Sequence, residues 1–175
     1  MPVEWVAEWR GIHSLAGSLF KLGRTAEARD QILQAIKRSE SFGHATQPWN
    51  AWNILNEIEA SDGNTQAAGE ARRKALELFL AYRRDGGENH QASGFLCAAI
   101  APALLAQDRD GAQKLIDEGL QKTDRDNENG SHVFFDTLNA IAAGQRDTTL
   151  ADNPALSYDQ AVEIILLLEA LRAVE

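Results

Sequence analysis

Residues 50–79, NAWNILNEIEASDGNTQAAGEARRKALELF, constrain the fold more than any other stretch of the 175-residue chain. They read as two helices joined by a short turn. Trp52 and Leu55 share one face of the first helix, and Gly63 and Asn64 break the chain. Ala68, Ala71, Ala75, Leu78 and Tyr82 then recur at i, i+3, i+7, i+10 and i+14. This is an apolar stripe at helical period, with small residues where two helices approach closely. A lone hairpin cannot bury such a stripe, so the unit requires stacked neighbours.

The remaining segments follow the same logic. Pro2 suits a first helical turn, and Trp5, Trp9, Ile12, Ala16 and Leu19 recur at i, i+4, i+7, i+11 and i+14 before Gly23 ends the run. Thr25 is the expected N-cap of a second helix with Ala28, Ile32, Ala35 and Ile36 on its inner face, closed by Gly43. Thr46 and Pro48 open a third helix carrying Trp49 and Trp52. A fourth runs from the Asp62-Gly63-Asn64 turn to about Arg84 and stops at Asp85-Gly86-Gly87, where glycine supplies the left-handed cap. Residues 91–107 read as a buried fifth helix with a kink or a delayed start at Pro102. Asp108-Arg109-Asp110-Gly111 reads as a turn, followed by a sixth helix with Ala112, Leu115, Ile116 and Leu120. Ser131 is the expected cap of a seventh helix ending at Gly144. Ser157 with Gln160 forms a capping box for a last helix with the stripe Ala161, Ile164, Ile165, Leu168 and Leu171. No useful strand-like alternation occurs, so the expected class is all-α.

Charge narrows the function classes. With 17 basic and 26 acidic side chains, a formal charge of -9 and the bases scattered, nucleic-acid binding is not expected. No apolar run reaches the roughly 18 residues of a spanning helix, and no membrane partner is expected. MPVEWVAEWR lacks the apolar core of a secretory signal. The single Cys97 excludes an internal disulfide framework and fits a reducing compartment. The expected location is cytoplasmic.

Aligning the turns exposes a repeat: Leu15, Gly23, Ala28 and Ala35 match Leu55, Gly63, Ala68 and Ala75, all at an offset of 40. This pattern resembles the tetratricopeptide repeat, whose signature runs Ile12, Leu15, Ala16, Ala28 and Ala35 in the first copy and Trp52, Leu55, Asn56, Ala68 and Ala75 in the second. Asn56 replaces a small residue, Glu59 stands where an aromatic is expected and Arg72 where a bulky apolar residue is expected. The repeat is longer than the usual length of about 34. A third, degenerate copy centres on Ala112 at a spacing of 44. The resemblance implies an α-solenoid of antiparallel helical hairpins with about eight helices. Residues 1–85 would form two such hairpins. Residues 88–175 would form the degenerate copy and a C-terminal pair in the same solenoid. The longer repeat and the segment LAYRRDGGENH also resemble helical repeats of larger bacterial regulatory proteins, which implies that the chain is the repeat region of one.

In that family the first helices of successive hairpins line a groove that takes a peptide. The groove positions fall here on Arg10, His13, Gly17 and Phe20, then on Asn50, Asn53, Glu57 and Ala60. The family's two-asparagine, two-lysine carboxylate clamp is matched by Asn53 alone. A groove with His13, Asn50, Asn53 and Glu57 suits a polar or basic segment. The bland reading, solvated faces of packed helices, stands beside it. Trp9 and Trp52 are expected in the core and Trp49 at the surface.

Other chemistry is sparse. His13, His44, His90 and His132 lack i+3 or i+4 spacing to one another or to Cys97, so no metal site is expected. Residues 124–130, DRDNENG, approximate a calcium loop with its glycine one residue late, and shifting the frame puts a cation at the first ligand position. Asn129-Gly130-Ser131 is a formal glycosylation sequon. Glu57 and Glu59, two apart on a helix, do not form an acid/base pair. No nucleophile elbow, P-loop or dinucleotide fingerprint occurs, so neither catalysis nor a cofactor is expected. The expected function is a protein- or peptide-binding scaffold, with self-association as a further option. The alternative is a helical enzyme or small-ligand regulator with its site around Glu88, His90 and His132.

Overall fold

The computed structural model describes residues 14–123 and 131–174, and every regular element among them is helical. The chain divides into two compact units, Met1–Asp85 and Gly86–Glu175. The first contains α1 (described over 14–21), α2 (Thr25–Ser39), α3 (Pro48–Ser61) and α4 (Thr65–Arg84), with a 3-10 turn at Gly43–Thr46. The second contains α5 (Ala92–Leu105), α6 (Arg109–Thr123), α7 (Ser131–Ala142) and α8 (Tyr158–Arg172), with a 3-10 turn at Thr148–Asp152.

One turn geometry joins the hairpins. Gly23 has φ +74° and Gly63 φ +76°, the left-handed region that glycine enters without a Cβ penalty. The Gly23 N–H donates to the Phe20 carbonyl and the Arg24 N–H to the Leu19 carbonyl, both at 2.9 Å. The second turn repeats this, Gly63 to Ala60 at 3.1 Å and Asn64 to Glu59 at 2.9 Å. These paired bonds satisfy the last carbonyls of the outgoing helix. The α5–α6 turn uses the same scheme, Gln107 to Leu104 at 3.1 Å and Asp108 to Ala103 at 2.8 Å, with Gln107 at φ +58°.

The first unit's core is built by Ala16, Leu19, Ala28, Ile32, Ala35, Ile36, Ala51, Leu55, Ile58 and Ala71, and Phe20, Trp52 and Ile54 pack against it. The expectation for Trp49 is overturned, and that for Trp52 holds in part, since it packs against this core. Trp49 is buried, whereas Trp52 is half-buried. Both α2 and α4 pack on α3, so α3 must bury more than one stripe. Trp49 turns to α4, its ring 4.7 Å from Tyr82 and 5.2 Å from Phe79, with His44 edge-on at 6.3 Å. The α4 stripe accordingly ends on buried Phe79, while Leu78 and Tyr82 are half-buried. Leu15, the repeat partner of buried Leu55, is 48% exposed.

Several boundaries also differ. Thr25 is the first helical residue of α2, and Arg24 occupies the cap position. Arg109–Gly111 belongs to the first turn of α6, where Asp108 Oδ1 accepts the Gly111 N–H at 2.9 Å. Ser131 is the first residue of α7. Helix α5 starts at Ala92 and carries Pro102 within it, with no delay. Both Pro102 and Ala98, whose carbonyl lacks the proline's N–H, are solvent-exposed. Nor is α5 buried all round: Phe95 is 63% exposed. The expected capping box forms, with Gln160 Oε1 accepting the Ser157 N–H at 3.0 Å.

In the second unit α5 packs on α6 and α8, and α6 packs on α7. Helix α8 is buried on most sides: beyond the expected stripe, Tyr158, Val162 and Leu167 are covered, and so are Asp159 and Glu163. Ile165 is only half-buried.

The turns carry a test. Open space surrounds Gly63, so Gly63→Ala adds backbone strain alone and is expected to cost about 1 kcal/mol in urea unfolding. Gln107→Gly relieves the same strain and is expected to stabilise by a similar amount, about 1 kcal/mol. Unchanged urea midpoints would contradict the turn assignment.

Candidate functional site

Asn50, Asn53 and Glu57, the expected groove residues of the second hairpin, fall on one face of α3. Asn50 is half-buried and its Nδ2 donates to Gln47 Oε1 at 3.0 Å. Asn53, half-buried, donates to exposed Glu57 at 2.8 Å. The i, i+3, i+7 spacing aligns all three. Phe20 is half-buried against the apolar core. Arg10, His13 and Trp9 lie outside the described residues, as do the DRDNENG loop and the Asn129 and Gly130 of the sequon.

The opposite side of α3 carries a charged cluster that sequence reasoning registered only as a departure. Glu59, in the slot where the repeat expects an aromatic, is buried. Arg29 reaches it from α2 with two bonds, Nε to Oε1 at 2.8 Å and Nη2 to Oε2 at 3.0 Å. Arg29 Nη2 also donates to Asp62 at 2.6 Å, and Asn64 Nδ2 donates to Glu59 Oε2 at 2.8 Å. The hydrogen bonds from Arg29 hold the Glu59 carboxyl below its usual pKa; burial opposes this and Asn64 assists it. Arg29 is raised, first by Glu59 and then by Asp62. The cluster ties α2 to α3 and to the following turn, which makes it a fastening rather than a reactive centre.

The second unit holds a different polar arrangement. Gly94 allows the Asn89 backbone to lie against α5, since a Cβ there would sit 2.6 Å from the Asn89 carbonyl oxygen. Asn89 is thereby buried, its Oδ1 accepting the Gln91 N–H at 3.0 Å. Its Nδ2 donates to Glu163 at 3.0 Å and to Ser93 Oγ at 3.3 Å. The Ser93 hydroxyl donates to Asp159 Oδ2 at 2.5 Å, and the Ser157 hydroxyl to Asp159 Oδ1 at 2.7 Å. Neighbouring Tyr158 is pushed up to about 12, by burial first and by the Asp159 charge second, against a hydrogen bond from Gln91.

Ser93, Ser157 and Asp159 stand together in the lining of a cavity of about 760 Å³. Leu96, Leu115, Phe134 and Phe135 supply apolar walls, and Phe95, Glu118 and Lys122 are among the other lining residues. No expectation from sequence pointed to Ser93, Asn89 or Asp159, and the only local signal was the Ser157–Gln160 capping box.

The residues of the alternative expectation are elsewhere. Glu88 and His90 are exposed and 3.7 Å apart, and His132 is exposed on α7. None of these three lines the cavity. His44 sits 3.7 Å from Asp85 and packs on Trp49 and Tyr82. Cys97 is buried on α5. Among the described residues no three His, Cys, Asp or Glu side chains converge to hold a metal. No helix among them is long and apolar enough to cross a membrane. No protein-family model, curated protein or solved structure matches the chain at a significant level.

Two pH dependences follow. Glu59 has a lowered folded-state pKa, so its contribution is present above the ordinary carboxylate value of 4.5 and is lost as pH falls through the folded value. Glu59→Gln is expected to cost about 2 kcal/mol at neutral pH and to flatten the acid limb of a stability profile. Tyr158 has a raised folded-state pKa, so the unfolded phenol ionises first, near 10, and stability falls from there towards about 12. The expected slope is about 1.4 kcal/mol per pH unit. Tyr158→Phe should remove that slope in alkaline denaturation, and an unchanged slope would assign it to other groups.

Proposed function

We propose that the chain is a non-enzymatic interaction module of the tetratricopeptide kind, whose helical hairpins stack as an α-solenoid and receive a segment of a partner protein. On this reading it works in the cytoplasm, as the repeat region of a larger regulatory protein. The supporting observation is the recurrence, 40 residues apart, of one hairpin closure with one set of buried alanines. Gly23 and Gly63 share φ values within two degrees, at +74° and +76°. Ala28 and Ala35 are as covered as their counterparts Ala68 and Ala75, all at 7% exposure or less. Repetition of this kind generates a surface wider than one helix, on which an extended segment makes several small contacts.

The face formed by Asn50, Asn53 and Glu57 is the proposed contact surface. It presents amides and a carboxylate, which suits a polar or basic segment. The net charge of -9 favours the same partner and disfavours nucleic acid.

The test is retention of proteins from native lysate on immobilised wild type and on an Asn53→Arg, Glu57→Arg double variant whose helical circular dichroism is intact. A partner kept by the wild type and lost by roughly tenfold or more from the variant is the expected result. Identical recovery on both would reject this surface.

A further inference from the structure

We propose that the cavity of the second unit binds an organic cation with an apolar body, the cationic head meeting Asp159 and the body lying against the phenylalanines. The inference is independent of any partner on α3. Its volume of about 760 Å³ lies within the range of small-ligand sites, roughly 300–1,000 Å³. More than half of the wall is apolar, and Ser93 and Ser157 gather around a buried carboxylate in it. Asp159 is 5% exposed yet lines the space.

The partners of Asp159 define the missing chemistry. Two serine hydroxyls each donate to one of its oxygens. A carboxylate offers about four lone-pair sites, so capacity remains. Among the described residues no lysine or arginine forms an ion pair with it, in contrast to Glu59, which has Arg29. Burying an anion against neutral partners alone is costly, and an ammonium or guanidinium carried by a ligand offsets that cost. The N-terminal dipole of α8 favours a carboxylate at this position but does not account for the apolar space beside it.

Two further features favour an occupant with an apolar body. Phe95, 63% exposed, stands in the lining, available for stacking or for a cation–π contact. Gly119 keeps one wall thin, because a Cβ there would approach Leu96 and Phe135 to between 3.1 and 3.2 Å. The exposed lining charges, Glu118 and Lys122, are opposite in sign and cancel. Asp159 therefore sets the sign of the ligand. The head group can belong to a free amine or to a lysine or arginine side chain next to an aromatic residue in a peptide.

Calorimetric titration of the full chain with tryptamine and with N-acetyltryptamine, the same body without charge, tests the assignment. The amine is expected to bind saturably, and the acetylated compound roughly tenfold to a hundredfold more weakly. Asp159→Asn should abolish the difference. Ala99→Trp, an exposed lining position, should fill the space and remove binding of both without unfolding the chain. A capped Ala-Trp-Lys-Ala peptide separates the sources: tighter binding than tryptamine assigns a peptide, weaker binding a free amine, and either supports the site. Equal affinity for the two indoles, binding that survives in Ala99→Trp, or no saturation with amine and peptide alike would overturn it. Should Asp159→Asn fail to fold, the Ala99→Trp comparison decides.

Discussion

Where the helices of the first unit meet, half of the side chains in the buried core are single methyl groups. Ala16, Ala28, Ala35, Ala51, Ala71 and Ala75 are all exposed by 2% or less. A methyl group lets two helix axes approach closely, but it buries little apolar area itself. The close approach lets the larger Leu19, Ile32, Ile36, Leu55 and Ile58 join one buried core, where each adds more apolar burial than a methyl group. Everything else in the unit depends on that spacing. The left-handed turns at Gly23 and Gly63 reverse the chain tightly enough to suit it, and Arg29 reaches Glu59 only because α2 and α3 lie so near one another. Enlarging any of these alanines would force the seam apart, a change that typically costs about 1–3 kcal/mol.

The two units handle buried charge in opposite ways. In the first, Glu59 is met by a guanidinium with two hydrogen bonds and by an amide, so that a carboxylate inside the fold is neutralised locally. In the second, Asp159 is met by the hydroxyls of Ser93 on α5 and of Ser157 just before α8, both neutral groups. The first arrangement is self-sufficient and serves as a clamp. The second fixes the α5–α8 register and leaves a carboxylate beside an apolar space, which is why the cavity, rather than the clamp, has chemistry to offer a ligand.

Much of the architecture was readable from local pattern. The turn glycines and the proline at the start of α3 are short-range signals, and each marks a real boundary or reversal. The errors have a common cause, which is packing on more than one side. Helix α3 buries two faces, so a single-stripe reading misplaced Trp49 at the surface. Helix α8 is covered nearly all round, which blurs its period and hides two acids among apolar neighbours. The candidate cavity was the least legible part. Ser93 and Asp159 are 66 residues apart and Asn89 and Glu163 are 74 apart, and no periodic pattern links such positions. Glu59 was visible as an exception to the repeat, but its partner Arg29, 30 residues earlier, was not.

The pairing of α5 with α8 also orders events during synthesis. The first unit is built from helices that meet their sequence neighbours, so its contacts can form as the chain emerges. In the second unit, Ser93 and Asn89 find their carboxylate partners only after α8 has been made. Until then the inner face of α5, with Cys97, Ile100 and Leu104, lacks one of the two helices that cover it. The nascent chain therefore passes through a stage with one half able to fold and the other presenting an apolar surface, the kind of intermediate on which chaperones act.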